Sequence, residues 1–599
     1  MHLGDGALPI MKHLIFAAML LLAQGWSGHA LAHSEHGVAE PRAAKVQPAT
    51  TAPATPPSTG APDDGIPADV PAVPAVAEET TQDEAADEGM EMLHPGLPGE
   101  WRMPAMLVML AIAAWALFAR TPSETPAPSV NLAAMPVVGA LVRFLNRSPY
   151  PLLAVKIVSV VVFLLVVVAG IFGTRHAEHN LATALVWNMW WPLVVMSVLF
   201  LGTAWCAICP WNALSNWLVR LRLWKRADPH PGLNRRVPRY LQNVWVALLM
   251  FMGLTWLQAG VGVTGWPLAT ALMALVMLVL SIVFLLVFER KAFCRYACPV
   301  GRTLGYYARL APVSVRPVEQ AACDSCKTLE CYNGSKDIEP CPTHLVVGRF
   351  SQNTFCLSCG NCMLSCPKQN VTWRLRPLGS EAKDQARPQW DGAWFMLLLL
   401  SITTFHGLTM MEFWGEWVAA IAGFIGESGR LLFSFTLAML GSFAVVVAVY
   451  GAAIGLACLA NRRKTGFGSL FVSFAFVSLP LAFVYHLAHN LDHLSRESVN
   501  IFAMLLNPLG IGLAPMTASQ KHELMMDPLF PENVMFAMQA GLMVLGFWLA
   551  VQIVRHRSRG LLASGTGVKS WRLLPILGFI GAVTGMNLWL MAQGMIMRF

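Results

Sequence analysis

The chain has 599 residues, of which 55% are hydrophobic and only 13% charged, and its formal net charge is +8. Soluble domains carry roughly 25% charged residues, so a soluble multidomain enzyme is excluded. In a chain this apolar, the positive balance marks basic loops beside a membrane rather than a nucleic-acid surface, and no nucleic-acid partner is expected.

The N-terminus reads as an export signal. Met11, Lys12 and His13 give a positive start, residues 14–23 a short apolar run, and Ala30-Leu31-Ala32 a small-residue cleavage motif. A signal peptide over 1–32, starting at Met11, is expected to leave His33 as the first mature residue. Residues 33–99 are Ala, Pro, Thr and acidic side chains with almost no aromatics. They cannot bury a core and read as a disordered periplasmic tether. His33 and His36 in this polar tail are expected to be solvated.

Ten apolar segments follow, near 103–118, 151–172, 182–204, 241–261, 267–288, 394–409, 431–457, 469–486, 534–554 and 573–591. About twenty apolar residues cross a bilayer core about 30 Å thick. Short-loop Lys/Arg bias sets orientation. Arg143 and Arg147 follow the first span. Arg220, Arg222, Lys225, Arg226, Arg235, Arg236 and Arg239 follow the third. Arg462, Arg463 and Lys464 follow the seventh, and Arg555, Arg557, Arg559 and Lys569 the ninth. With alternating spans, all these loops share one side, read as the cytoplasm. Both termini are then periplasmic, which agrees with the export signal. The expected fold is a polytopic all-α membrane bundle of about ten helices with an inserted cytoplasmic domain. Residues 100–290 hold spans one to five, 291–392 the insert, and 393–599 spans six to ten.

Twelve of the 13 cysteines lie between Cys206 and Cys366. Cys356, Cys359, Cys362 and Cys366-Pro367 have the x2-x2-x3 spacing of a bacterial ferredoxin run, whose fourth Cys ligates the other cluster. Cys323, Cys326, Cys331 and Cys341-Pro342 are an expanded partner run. An α+β bacterial-type 2[4Fe–4S] domain is therefore expected. One cluster takes Cys323, Cys326, Cys331 and Cys366, and the other takes Cys341, Cys356, Cys359 and Cys362. Zinc also uses Cys-x2-Cys pairs, but the full spacing followed by Pro belongs to ferredoxins. Two further pairs, Cys206-x2-Cys209-Pro210 and Cys294-x3-Cys298-Pro299, sit at cytoplasmic span ends. They read as a third cluster, a metal ion or a redox dithiol. Cys458, alone, reads as structural.

Asn180-Leu-Ala-Thr-Ala-Leu-Val-Trp187, Trp190-Trp191-Pro192, Trp205-Cys206 and Cys294-Arg-Tyr-Ala-Cys298-Pro299, with the ferredoxin pair, resemble membrane-bound 4Fe-4S proteins of the NosR/NapH type. The resemblance covers roughly residues 150–376. It implies polyferredoxin-like quinol dehydrogenase components that donate electrons to periplasmic reductases. Three features depart from it. Residues 33–99 are too short and polar for the periplasmic flavin-binding domain of the NosR type. The first Cys-Pro pair has x2 where the family usually has x3. Five spans follow the insert.

Spans six and eight end in histidines. His406 closes one, followed by Met410 and Met411. His486, His489 and His493 share one helix face at the end of the other. Ionisable groups at membrane depth are costly and mark functional sites. A haem b, a copper ion or a quinol would each use such imidazoles. His176 and His179 read as a solvated outer loop, and the Trp and Met stripes as packing and interface anchors.

The expected function is electron transfer in a bacterial inner membrane, between a cytoplasmic donor or the quinone pool and a periplasmic redox protein. A quinol dehydrogenase-like component fits that role. The competing class is a copper-handling assembly factor whose clusters reduce the metal. A redox sensor is the weakest reading, because no output domain is visible. No Cys-x2-Cys-His, P-loop or Gly-rich dinucleotide motif occurs, so c-type haem, ATP-driven pumping and direct NAD(P)H oxidation are unsupported.

Overall fold

The computed structural model describes residues 93–119, 129–221, 232–462, 464–526, 528–564, 567–568 and 570–596. The signal segment, most of the tether with His33 and His36, and Arg222, Lys225, Arg226, Arg463 and Lys569 of the basic loops lie outside these residues. The described residues belong to one compact unit, Glu84–Phe599.

The helices in chain order are α1 (Gly99–Phe118), α2 (Pro136–Arg147), α3 (Tyr150–Phe172), α4 (Leu181–Leu201) and α5 (Pro210–Arg220). After them come α6 (Trp245–Val261), α7 (Pro267–Val287), α8 (Pro299–Tyr307), α9 (Trp390–Leu408) and α10 (Glu412–Ile425). The last four are α11 (Leu432–Ala460), α12 (Phe467–Glu497), α13 (Glu532–Leu562) and α14 (Trp571–Ala592). Among the described residues, 9 helices are long and apolar enough to cross a membrane: α1, α3, α4, α7, α9 and α11 to α14. The chain is a mostly helical, multi-pass membrane protein. The expected fourth span, 241–261, is α6, a shorter apolar helix whose last turn, Leu257–Val261, widens to π geometry.

Proline places several starts. It stands in the first turn of α2, α3, α7 and α8, where its missing N–H is not needed. In α4 the sequence Trp191-Pro192 follows a 7-residue π segment, Ala184–Trp190, which rotates the Trp-rich face. Such π turns collect at functional sites. α12 is two helices joined by a 3-10 turn at Ala475–Val477, just before Pro480. Its 31 residues make it about 46 Å long at 1.5 Å per residue. The expected eighth span stopped at His486. The helix instead runs on to Glu497, which leaves His486 in its interior.

α9 and α12 form the centre of the bundle. In each, 78% of the membrane window is buried, against 17% for α1 and 28% for α3. α12 packs on α13 and α9, and α9 on α11. The short helix α8, buried along its whole length, packs against α4, α6 and α12.

The cysteine-rich insert is held by a small antiparallel sheet of β1 (Val130–Asn131), β2 (Val313–Pro317) and β3 (Val371–Leu375), with β3 in the middle. Val313 pairs with Leu375 and Pro317 with Val371, so β2 and β3 bring the two ends of the ferredoxin runs together. Glu381, fully buried, locks this frame. Its carboxylate accepts from Arg316 Nη2 and Arg376 Nη1, each at 2.7 Å, and from the Asn353 backbone N–H at 2.9 Å. Removing one partner from a buried ionic network costs about 3–5 kcal/mol, because the remaining charges stay buried. Glu381→Ala is therefore expected to lower the thermal unfolding midpoint by several degrees and to loosen the insert. Calorimetry of the purified protein measures this, and an unchanged midpoint would contradict the role given to Glu381.

Candidate functional site

The ferredoxin runs fold into two cysteine groups. Cys341, Cys356, Cys359 and Cys362 line one small hollow, closed by Val315, Val347 and Phe350. Ser358 and Gly360, both at positive φ, turn the chain sharply between these cysteines. The backbone N–H of Ser358 donates to Cys356 Sγ at 3.4 Å, and that of Leu345 to Cys341 Sγ at 3.3 Å. In the other group Asn370 spans the runs. Its backbone N–H donates to Cys366 Sγ and its side-chain amide to Cys323 Sγ, both at 3.4 Å. Cys341 lies close to Cys356 and Cys359, and Cys366 close to Cys323 and Cys331.

The two Cys-Pro pairs also converge. Burial pushes the Cys298 thiol up to about 12 and raises Cys206, Cys209 and Cys294 as well. After burial, the strongest influences on Cys206 are the neighbouring Cys209 and Cys298, and Cys294 adds to them. Cys298 Sγ also caps α8, accepting from the Gly301 N–H at 3.3 Å. Arg302, fully buried on α8, influences Cys206, Cys294 and Cys298. Its Nη1 donates to Thr354 O at 2.7 Å, while Nε and Nη2 have no hydrogen-bond partner among the described residues. Orphaned guanidinium donors beside three thiols fit an anionic group held there. Thr203 Oγ1 and Ser358 Oγ, 2.9 Å apart, tie this site to the Cys356 turn.

Zinc does not match the spacing. A tetrahedral ion with Zn–S bonds of about 2.3 Å needs sulfurs about 3.8 Å apart. Among the described residues no three thiols lie within 4.8 Å of one another. Cys458 Sγ donates to Thr465 O at 3.4 Å, a local structural contact.

The far end of α8 reaches the middle of α12. Tyr307 OH lies 3.3 Å from His486 Nδ1, and Trp191 Nε1 donates to His486 Nε2 at 3.2 Å. With Nε2 accepting, the neutral ring carries its proton on Nδ1 and donates it to Tyr307. Trp191 lies tilted against Trp190 (6.0 Å between ring centroids), and Trp190 edge to face with Trp205 (5.6 Å), the neighbour of Cys206. These tryptophans, expected to be packing anchors, line up between the Cys-Pro site and His486.

Beyond His486 opens a cavity of about 750 Å³ at the opposite end of the bundle from the cysteines. His406, His489 and His493 line it, with Trp187, Gln258 and Tyr485. Both π segments, in α4 and α6, face it. Of the four histidines picked out by spacing, the structure brings together His406, His489 and His493. His486 lines the same cavity but lies outside that trio, with both ring nitrogens engaged. His176 is exposed at the cavity rim, as expected of a solvated loop, whereas His179 is buried, its Nε2 2.9 Å from Ala514 O. Arg302, Tyr307 and the Trp190–Trp191 pair were missed as site residues. A cation four residues after Cys298 inside an apolar run was the available signal for Arg302.

Residues 183–227 and 270–315 match a family described as a 4Fe-4S binding domain. The match takes in Cys206, Cys209, Cys294 and Cys298 and ends before Cys323. An uncharacterized protein of Methanocaldococcus jannaschii is 26% identical over 231 residues, 38% of this chain and 85% of its own length. YccM of Escherichia coli K12, named for a proposed role in electron transport, is 28% identical over 156 residues, 26% of this chain and 39% of its own. The ferredoxin-type protein NapH of Haemophilus influenzae is 25% identical over 124 residues, 20% of this chain and 38% of its own. The chain thus spans less than half of the two relatives that carry a functional name. No solved structure matches it. The fold and the family match define a multi-pass membrane protein with a 4Fe-4S binding domain. Its likeness is to the ferredoxin-type membrane proteins of the NapH/NosR kind.

Cluster ligands are thiolates, so loading must strip these thiols of their protons. Burial holds Cys356 up to about 11 and Cys359 up to about 12. Iron–sulfur reconstitution is therefore expected to release protons and to strengthen from pH 7 to 9. The cluster-free chain has the opposite sign. Unfolded thiols ionise near pH 8.5, below the folded values. The stability that these two thiols contribute is fully present below about 8.5 and is lost as pH rises toward 12. Reconstitution yield and cluster-free unfolding at pH 7 and 9 measure the two slopes.

Proposed function

We propose that this protein carries electrons through a bacterial inner membrane, between a cytoplasmic donor or the quinone pool and a periplasmic redox partner. The observation that carries this reading is the Tyr307–His486–Trp191 contact, which joins the Cys-Pro site to the cavity on the other side of the bundle. Three cysteine sets serve it: Cys323, Cys326, Cys331 and Cys366; Cys341, Cys356, Cys359 and Cys362; and Cys206, Cys209, Cys294 and Cys298. Bound at these sets, [4Fe–4S] clusters supply one-electron uptake and release. The match to a 4Fe-4S binding domain over both Cys-Pro pairs supports the third set.

The chain's own groups prepare the route. Buried Arg302 offsets negative charge at the Cys-Pro site, and the α8 N–H of Gly301 turns toward Cys298. Trp205, Trp190 and Trp191 replace saturated side chains with ring systems in near contact. His486 and Tyr307 share a hydrogen bond at the midpoint, so charge arriving there has a polar partner instead of bare hydrocarbon. The cavity admits a quinol-sized or smaller reactant from the outer side.

Basic groups support the orientation. Arg220 pairs with Glu339 of the insert at 3.2 Å, Arg559 Nη2 donates to Asp384 at 2.7 Å, and Arg557 Nη2 to Ala386 O at 3.0 Å. The Lys/Arg-rich helix ends therefore gather on the cysteine side, the cytoplasmic side by the positive-inside rule. The cleaved signal and periplasmic N-terminus complete this reading.

Proteoliposomes holding the full chain test it. A reductant on the cysteine side and an impermeant acceptor on the other should show electron flow, and its absence with intact clusters overturns the proposal. Trp191→Leu is expected to slow that flow by about tenfold or more, a barrier rise of about 1.4 kcal/mol, with cluster EPR signals unchanged. Cys206→Ser is expected to remove one of three cluster signals and to leave two.

A further inference from the structure

The three histidines at the outer end of the bundle are arranged for more than lining a cavity. Their ligating nitrogens all lie within 4.8 Å of one another, and among the described residues no other trio of His, Cys or carboxylate groups does so. They come from two helices that the core holds rigidly: His406 from α9, and His489 and His493 one turn apart on α12. The rings of His406 and His489 stand edge to face, with centroids 5.0 Å apart, and those of His489 and His493 4.7 Å apart. His489 Nε2 and His493 Nε2 are 3.1 Å apart.

That distance discriminates between the kinds of group that imidazoles hold. Two nitrogens on one tetrahedral ion, with bonds of about 2.0–2.1 Å, stand about 3.3 Å apart. Two axial ligands on opposite faces of a haem iron stand about 4 Å apart, and haem offers two axial places rather than three. Glu497 adds the outer contact that ligating histidines usually have. Its carboxylate sits 2.5 Å from His493 Nδ1, where it takes the Nδ1–H and leaves the Nε2 lone pair directed at the trio. His486 is excluded, because Trp191 and Tyr307 occupy both its nitrogens. Three neutral imidazoles favour zinc and copper, whereas Mg²⁺ and Ca²⁺ favour oxygen.

We infer that His406, His489 and His493 bind one Zn²⁺ or Cu²⁺ ion at the outer end of the bundle, with Glu497 holding His493 in the ligating tautomer. The site faces the 750 Å³ cavity, so the ion keeps a side open to a reactant or to solvent. This inference stands apart from electron transfer, since a metal-loaded site needs no current through the bundle.

The full chain, purified without a histidine tag and stripped with a chelator, is titrated separately with Zn²⁺ and Cu²⁺. One equivalent is expected to bind beyond the iron content. In the copper arm the EPR spectrum is expected to show coupling to imidazole nitrogens. Because Cu²⁺ outbinds Zn²⁺ at most imidazole sites, the metal content of the chain as isolated, before stripping, identifies the occupant. His406→Ala and His489→Ala should each abolish the equivalent, and His486→Gln should keep it. Glu497→Gln, which leaves all three ligands in place, should weaken binding about 10–100-fold. Iron–sulfur absorbance and gel-filtration elution report folding for every variant. If the alanine variants do not fold, the affinity of Glu497→Gln decides. Failure of the folded wild-type chain to bind either ion overturns the inference. So does an equivalent that survives in a folded His406→Ala/His489→Ala double variant, or an unchanged affinity in folded Glu497→Gln. A b-type haem spectrum that disappears in His489→Ala overturns it as well.

Discussion

A bilayer core about 30 Å thick supplies no water to a peptide group, so chain that enters it must satisfy its own hydrogen bonds or lie inside protein. Helix α8 meets this constraint by burial. It starts at Cys298-Pro299, with the thiol capping its first turn, and sinks between α4, α6 and α12. Its 9 residues carry the chain about 13 Å from the Cys-Pro site to Tyr307, in contact with His486. Everything functional lies on one side of this contact or the other. The cysteine sets and the basic helix ends lie below it, and the cavity with three histidines lies above.

The helix is held there by polar groups that could not be buried alone. Arg302 and Arg309, both essentially without solvent exposure, reach from α8 and the turn after it to Thr354. Thr354 stands two residues before Cys356. Glu381 fixes the neighbouring Asn353 through its backbone N–H and draws in Arg316 and Arg376. The same short stretch of chain thus ties the insert to the bundle and aims the Cys356 turn at the Cys-Pro site. Buried charges of this kind are costly unless paired and hydrogen-bonded, which explains why they are concentrated where several elements must keep one geometry.

The two ends of the molecule answer different chemical demands. Cluster ligands need soft thiolates, tight turns and N–H donors, and the left-handed residues Ser358 and Gly360 with the Ser358, Leu345 and Asn370 amides provide them. The other end offers space and imidazole. The π turns in α4 and α6 line its cavity, while α9 and α12, the most buried spans, carry the histidines.

The membrane class, most of the spans and the iron–sulfur character were legible in the sequence, because each depends on local spacing. Apolar length defines a helix that can cross a bilayer, and the x2-x2-x3 run defines a turn that can grip a cluster. Spacing along α12 also picked out His486, His489 and His493 as one face, but it could not separate them. That needed the approach of Trp191 and Tyr307, which lie 295 and 179 residues away in the chain. The burial of α8, the burial of Arg302 beside the Cys-Pro thiols and the joining of His406 to two histidines of α12 are likewise long-range facts. Periodicity records which way a residue points on its own helix, and only packing decides what it meets.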